Sequence, residues 1–181
     1  MNKKRKPAKK GGPIPPQAHI IQVVIETPKG SRNKFKYDPT THRFKLSKVL
    51  PEGMVFPYDF GFVPATKGPD GDPIDVLVLM DEPTFPGCLL ESRLVGILEA
   101  EQKVRDQKKK RNDRLIAVAE QSLLYADIAH LGDLNRALLK QVEAFFANYQ
   151  KVRNVSFTIL ARSGPERALE ALREATSKKD T

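Results

Sequence analysis

The sequence is poor in cysteine and histidine and has no long apolar run, which argues against disulfide-linked, zinc-binding and membrane-spanning proteins. Its single cysteine, Cys88, can form no intrachain disulfide, which fits a reducing compartment, and we interpret it as a core residue. Its three histidines are far apart and lack the spacing of zinc ligands. There is no apolar run of the roughly 20 residues that span a membrane, and the basic start lacks a signal-type apolar segment. We therefore expect a soluble, cytoplasmic protein without membrane contact.

Positive charge is abundant, but most of the excess lies in the first 17 residues. The net charge of the 181 residues is +9, and residues 1–17 carry six basic side chains and no acid, which leaves +3 for the rest. Because this segment is also rich in proline and glycine, we predict a disordered basic tail. A solvated charge run is favoured over a tail that binds nucleic acid, which stays the alternative.

The length and composition fit one domain with a proper core. We predict this domain over residues 18–176, followed by a flexible end at residues 177–181. Alternating apolar residues predict strands at 19–26, 34–37 and 42–46, which we interpret as a three-stranded meander. Further strands are predicted at 74–80, 87–101, 114–119 and 155–161, with 87–101 and 114–119 forming a long hairpin around a very basic stretch.

Helical patterns appear only late in the chain. Asp133 is a suitable N-cap for a helix whose apolar residues form a stripe that one helix face can bury, namely Leu134, Ala137, Leu138, Val142, Phe145, Phe146 and Tyr149. A short terminal helix is predicted to start at Ser163-Gly164-Pro165. Short strands at this spacing favour a mainly β fold with flanking helices, built on a small barrel, over a parallel α/β sheet.

The densest cluster of chemical groups is Asp70-Gly71-Asp72-Pro73-Ile74-Asp75, which leads into the apolar run Val76–Met80. Three carboxylates in six residues repel one another unless a cation binds, and hard oxygen ligands suit Mg²⁺ or Mn²⁺. An acid-rich turn that only caps a strand is the alternative. A proline-broken aromatic segment, residues 56–64, precedes the motif and is expected to form the wall of a pocket or of the core.

This acidic motif, with Pro86-Gly87, Leu94–Leu98 and the late Phe145–Tyr149 around it, resembles the soluble family I inorganic pyrophosphatases from about Ile21 to Ala161. The resemblance implies a five-stranded OB-like closed barrel with two C-terminal helices. It also implies Mg²⁺-dependent hydrolysis of pyrophosphate, or of a related small phosphoanhydride, by a homo-oligomer.

The resemblance assigns roles to individual residues. Asp70 and Asp75 correspond to metal ligands, Glu26 to an acid that orders metal-bound water, and Asp72 to the general base. Four residues correspond to substrate-binding positions, namely Lys34, Lys48, Arg114 and Tyr149.

Several positions depart from the family pattern. Gln102 and Asn112 stand where two further metal-binding aspartates are usual, and Glu101 and Asp113 beside them are candidate replacements. The other departures are Lys36 for a glutamate, Phe56 and Phe60 for tyrosines, and Gln150 for a lysine. Two hypotheses therefore stand: a pyrophosphatase with a rearranged metal set, or a catalytically weakened relative that binds a phosphate compound or, through its tail, nucleic acid.

Overall fold

The computed structural model of the protein describes residues 19–69 and 71–177. The predicted basic tail, Asp70 and residues 178–181 lie outside the described residues, and Ser177 is the last residue of the second helix. The described elements are β1 (Ile20–Thr27), β2 (Asn33–Asp38), β3 (Arg43–Val49), β4 (Asp59–Phe62), β5 (Asp75–Leu79), β6 (Leu89–Val104), β7 (Lys110–Arg111), β8 (Arg114–Ala119), α1 (Arg136–Lys151), β9 (Val155–Ser163) and α2 (Pro165–Ser177).

Five strands pair in a closed ring, in the order β1, β4, β5, β8, β6 and back to β1. All of these pairs are antiparallel except β5 with β8, which are parallel. The 16-residue β6 extends beyond the ring and also pairs with β7 and β9. The mainly β fold with two C-terminal helices and the OB-like ring of five strands are therefore confirmed.

The apolar run in β5 is buried on both faces. Val76 and Val78 belong to one core cluster, which includes residues of α2, whereas Leu77 and Leu79 belong to a second cluster with residues of α1. A strand covered on both sides needs apolar residues at every position, which explains the absence of alternation here. Cys88, which we interpreted as a core residue, is partly buried and packs against the first of these clusters.

Two other predictions of secondary structure are also confirmed. The long hairpin forms from β6 and β8, and α2 begins at Pro165, whose missing N–H is tolerated at the first helical position. The aromatic segment forms only the four-residue strand β4, and Phe56 and Phe60 are buried. Within residues 19–69 and 71–177, no helix is long and apolar enough to cross a membrane.

Two predictions of local structure were wrong. The three-stranded meander does not form, because β1 pairs with β4 and β6 while β2 and β3 make a separate hairpin. The link between β1 and β2 runs through side chains instead: the Glu26 carboxylate accepts a hydrogen bond from the Tyr37 N–H at 2.7 Å. Asp133 does not cap α1, since it closes a 3-10 turn with His130, and Asn135 is the N-cap.

Candidate active site

The parallel pairing of β5 and β8 brings two predicted site residues side by side. Val76 lies opposite Leu115, so Asp75 and Arg114, the first residues of their strands, meet at the same edge of the ring. Their side chains form an ion pair at 2.8 Å, and the Arg114 side chain is only 6% exposed. The Arg114 Nε is buried and has no hydrogen-bond partner among the described residues. The parallel register therefore places a charged pair, with its arginine buried, at this edge of the ring.

Glu26 lies near the end of β1, which runs beside β4 in the ring. Its side chain is buried, and burial raises the pKa of the Glu26 carboxyl, although the hydrogen bond from the Tyr37 N–H lowers it in part. Lys34 lowers this pKa and Asp75 raises it, both through their charges. Glu26 therefore belongs to the same electrostatic cluster as the residues at the start of β5.

The β2–β3 hairpin supplies two lysines from directly paired positions, Lys34 and Lys48. The Lys34 Nζ lies 4.4 Å from the centre of the Phe60 ring and 5.5 Å from that of Phe56. Burial lowers the pKa of Lys34, and the charges of Asp75 and Glu26 oppose this change. The two phenylalanines that depart from the family pattern thus form a cation–π wall for the Lys34 ammonium.

Asp72, the predicted base, is engaged by a residue that departs from the family pattern. The Lys36 Nζ donates to Asp72 Oδ2 at 2.8 Å. Burial would lower the pKa of Lys36, but the hydrogen bond to Asp72 and the nearby acids raise it above its ordinary value. Both side chains are about half exposed, so this contact holds Asp72 only weakly.

Seven of the nine predicted site residues within the described part of the chain line one cavity of about 680 Å³. They are three acids and four polar or basic side chains, namely Glu26, Asp72, Asp75, Lys34, Lys48, Arg114 and Tyr149. Burial raises the pKa of Tyr149, so its hydroxyl stays protonated and can donate a hydrogen bond. Asp70 lies outside the described residues. Residues far apart in the sequence therefore converge at one recess.

Glu101 and Asp113, the two acids predicted to replace the missing aspartates, contact residues outside the cavity. Glu101 Oε2 lies 3.2 Å from the Lys109 Nζ, and Asp113 accepts the Ala100 N–H at 2.8 Å and contacts Arg111. Neither acid lines the 680 Å³ cavity, whereas the neutral Gln102 and Asn112 do. The role of Glu101 and Asp113 as metal ligands stays a prediction, and the ion pairs described here are the competing interpretation.

Arg153 is a cavity residue that the sequence predictions missed. It follows α1, donates to the Gln150 side chain at 3.0 Å and lies 6.0 Å from the centre of the Tyr149 ring. A sequence signal was present, because a helix continued one turn beyond Tyr149 would put Arg153 on the same face. Gln150 also donates to Gln102 at 3.5 Å, which joins α1 to the hairpin.

The donor set fits a hard cation. The acids that line the cavity are carboxylates, and no thiol or imidazole joins them among the described lining residues. Within residues 19–69 and 71–177, no three acidic, histidine or cysteine side chains stand close enough to hold a metal together. Gly71, which follows Asp70 in the sequence, lines the cavity, and the role of Asp70 as a metal ligand stays a prediction.

Comparisons with known proteins define the class to which this protein belongs, with its ring of five strands and its cavity of acidic and basic side chains. The family model for inorganic pyrophosphatase matches residues 23–180. An inorganic pyrophosphatase from Methanosarcina acetivorans is 37% identical over 162 residues, covering 90% of this chain and 94% of the relative. One from Synechocystis is 34% identical, covering 90% of this chain and 93% of the relative.

Solved structures agree with this match. The crystal structure of an inorganic pyrophosphatase from Thermus thermophilus has a TM-score of 0.83 and 31% identity, and covers 95% of this chain and 98% of that one. The class is therefore that of phosphoanhydride hydrolases. The chain belongs to the inorganic pyrophosphatase family.

One prediction concerns the charge of Lys48. Burial, together with the charges of Arg153, Lys34 and Lys36, lowers the pKa of Lys48 to about 8. A lysine is charged below its pKa, so its charged fraction falls about tenfold between pH 7 and pH 9. If the ammonium contacts substrate, kcat/KM for pyrophosphate is expected to decline as the pH rises through 8, and Lys48→Arg is expected to decline less.

Comparison of wild type with Lys48→Arg removes the pH effects that both proteins share. Ionisation of the substrate and of its metal complex changes both kcat/KM profiles equally, so their ratio reports Lys48 alone. Superimposable profiles from pH 6.5 to about 9.5 would contradict the assignment of Lys48 to substrate binding.

Proposed function

We propose that the protein hydrolyses inorganic pyrophosphate to two phosphate ions with Mg²⁺, or alternatively Mn²⁺, as its cofactor. The observation that carries the proposal is the single cavity in which three carboxylates face four cationic or hydroxyl side chains of the predicted substrate set. Pyrophosphate needs cations on its oxygens, and these cations need carboxylates to hold them. Membership of the inorganic pyrophosphatase family supports the same reaction.

The basic side chains bind and orient the substrate in this proposal. Lys34, Lys48 and Arg114 neutralise phosphate oxygens, and the Tyr149 hydroxyl donates to another. Arg114 has the most constrained geometry, because its ion pair with Asp75 fixes the buried guanidinium. Pre-organised donors of this kind lower the barrier, since they need no rearrangement as charge develops.

Asp72 acts as the base. Its carboxylate accepts a proton from the attacking water as the water oxygen bonds to one phosphorus and the bridging oxygen leaves with the other phosphate. Asp70 and Asp75 would hold the metal ion, and Glu26 would order water bound to it. When bound, Mg²⁺ neutralises phosphate oxygens and lowers the pKa of coordinated water.

A phosphate-release assay tests the proposal. We expect phosphate from pyrophosphate in the presence of Mg²⁺, and a fall of at least about 10²-fold when EDTA removes the metal. Turnover that resists EDTA would contradict the metal requirement. If calorimetry detects pyrophosphate binding while no phosphate is released with either metal, the weakened phosphate-binding relative replaces the enzyme as the proposed function.

The hairpin acids provide a second prediction. Because Glu101 contacts Lys109 outside the cavity, Glu101→Gln is expected to leave the half-saturating Mg²⁺ concentration within about twofold of wild type. Gln102→Asp, by contrast, adds a carboxylate to the cavity wall and should lower this concentration several-fold. Mg²⁺ titrations of activity measure both effects.

The opposite pattern would favour the other interpretation of the hairpin. A large rise in the Mg²⁺ requirement of Glu101→Gln would support Glu101 as a metal ligand. Asp113→Asn needs a thermal unfolding control, because Asp113 also accepts the Ala100 N–H. Assembly into a homo-oligomer stays a prediction from the resemblance, and light scattering measures it.

A further inference from the structure

A second recess, the outer groove, lies behind α1 and has a volume of about 680 Å³. Its polar lining consists of two cations and three neutral hydrogen-bonding side chains: Arg105, Lys151, Asn148, Asn154 and Ser156. No acidic side chain lines it among the described residues. This composition is complementary to a polyanion.

The outer groove and the active-site cavity share a wall. Along α1 and the residues after it, Tyr149, Gln150 and Arg153 line the cavity, whereas Lys151 and Asn154 line the groove. An α-helix with its side chains is about 10 Å across, so the two recesses are separated by about one helix width. This shared wall therefore carries a cation on each side, Arg153 in the cavity and Lys151 in the groove.

The β6–β7 loop, together with the strand ends that flank it, extends this positive surface. Lys103 pairs with Ser156 at the edge of the groove, and Lys108 and Lys110 are exposed further along. Within the described residues these three lysines have no acidic partner within ion-pair distance. Asp106, the acid of this loop, lies 3.9 Å from Arg105, and both are fully exposed, so their mutual neutralisation is weak.

The groove suits a chain of phosphates better than a nucleic acid. Proteins that bind single-stranded nucleic acids usually stack bases on exposed aromatic rings. The aromatic residue of the groove, Phe157, instead packs into the core, 6.1 Å from Phe146 between ring centres, and its ring also faces Arg114. Linear polyphosphate has no bases and is recognised by repeated charge alone.

We propose that the outer groove and the β6–β7 loop bind a linear inorganic polyphosphate chain whose end reaches the active-site cavity. Binding on the groove stands by itself, whereas entry of the chain end into the cavity rests on the proposed function. Arg105 and Lys151 contact phosphates along the chain, and the amides of Asn148 and Asn154 donate to its oxygens.

Direct binding tests the proposal without turnover. Fluorescence anisotropy of end-labelled polyphosphate is measured in EDTA with the full-length chain, Arg105→Gln/Lys151→Gln, and Lys3→Gln/Lys4→Gln. The last variant loses the same charge from the basic tail, so it is the matched control. We expect the groove variant to bind about tenfold more weakly at low salt, and its salt slope to be shallower by roughly 1.4, at about 0.7 for each neutralised phosphate. The control should bind as wild type.

Each other outcome has a defined meaning. Wild-type affinity of the groove variant, or an equal loss in the tail control, overturns the proposal. Stronger competition by single-stranded RNA than by unlabelled polyphosphate also overturns it, in favour of nucleic acid. Pyrophosphate hydrolysis by the groove variant should stay within about twofold of wild type. If no protein hydrolyses pyrophosphate but the affinity difference persists, the proposed function fails and the binding surface stands.

Discussion

Replacing Asp72 by asparagine is expected to lower kcat for pyrophosphate by about 10²-fold or more. The amide keeps the shape of the side chain but cannot accept the proton of the attacking water. Asp72 is 60% exposed in its side chain and pairs with Lys36 near the surface, so the substitution should change stability little. Phosphate release at saturating Mg²⁺ measures the first effect, and thermal unfolding measures the second.

Asp38→Asn is the matched control for this experiment. Asp38 also pairs with a lysine of the β2–β3 hairpin, Lys45, but it does not line the active-site cavity. Its substitution should therefore leave kcat near that of wild type. Unchanged turnover of Asp72→Asn would assign the base to another residue, and equal losses in both variants would indicate a general effect of charge.

The second large effect concerns folding, and it arises at Gly61 in β4. A Cβ atom built there would lie 2.1 Å from the Val24 carbonyl oxygen and 2.9 Å from the Ile25 Cα. These are backbone atoms of the paired strand, so they cannot move aside as a flexible side chain can. Gly61→Ala is expected to destabilise the protein by about 3 kcal/mol or more, which lowers Tm by about 6 to 12 °C.

Gly132→Ala is the control, because its Cβ would come no closer than 3.2 Å to a neighbour, the His130 side chain. Calorimetry of both variants should show a large loss for Gly61→Ala and a small one for Gly132→Ala. A Tm for Gly61→Ala within about 2 °C of wild type would mean that β1 and β4 can separate at little cost.

Much of the fold was predictable because it depends on local sequence patterns. The acidic motif before an apolar strand, the β6–β8 hairpin and the stripe on α1 each depend on neighbouring residues. The failure of the three-stranded meander has the opposite cause. Strand pairing depends on partners distant in sequence, and the alternation in β2 is equally compatible with pairing to β3 alone.

The candidate site, like the fold, was predictable where it depends on local sequence and not where it depends on long-range contacts. The acidic motif predicted roles for Asp72 and Asp75, and the family resemblance predicted one for Lys34, but neither indicated which charged groups contact each other. The Asp75–Arg114 pair depends on the parallel register of β5 and β8, and the Asp72–Lys36 pair on how a loop meets the hairpin. Neither ion pair follows from the neighbouring sequence. The three-dimensional structure was therefore needed to identify the partner of each charged residue.

The pairing of β6 with four other strands has a consequence for how the protein forms during synthesis. β1 is made first, but its partner residues Leu89–Arg93 follow much later, and the ring closes only when β8 has been made. Until then the apolar side chains of β1 have no complete core to enter. Assembly on the ribosome is therefore late and dominated by long-range contacts, which slow folding and prolong exposure of unpaired strand edges to chaperones.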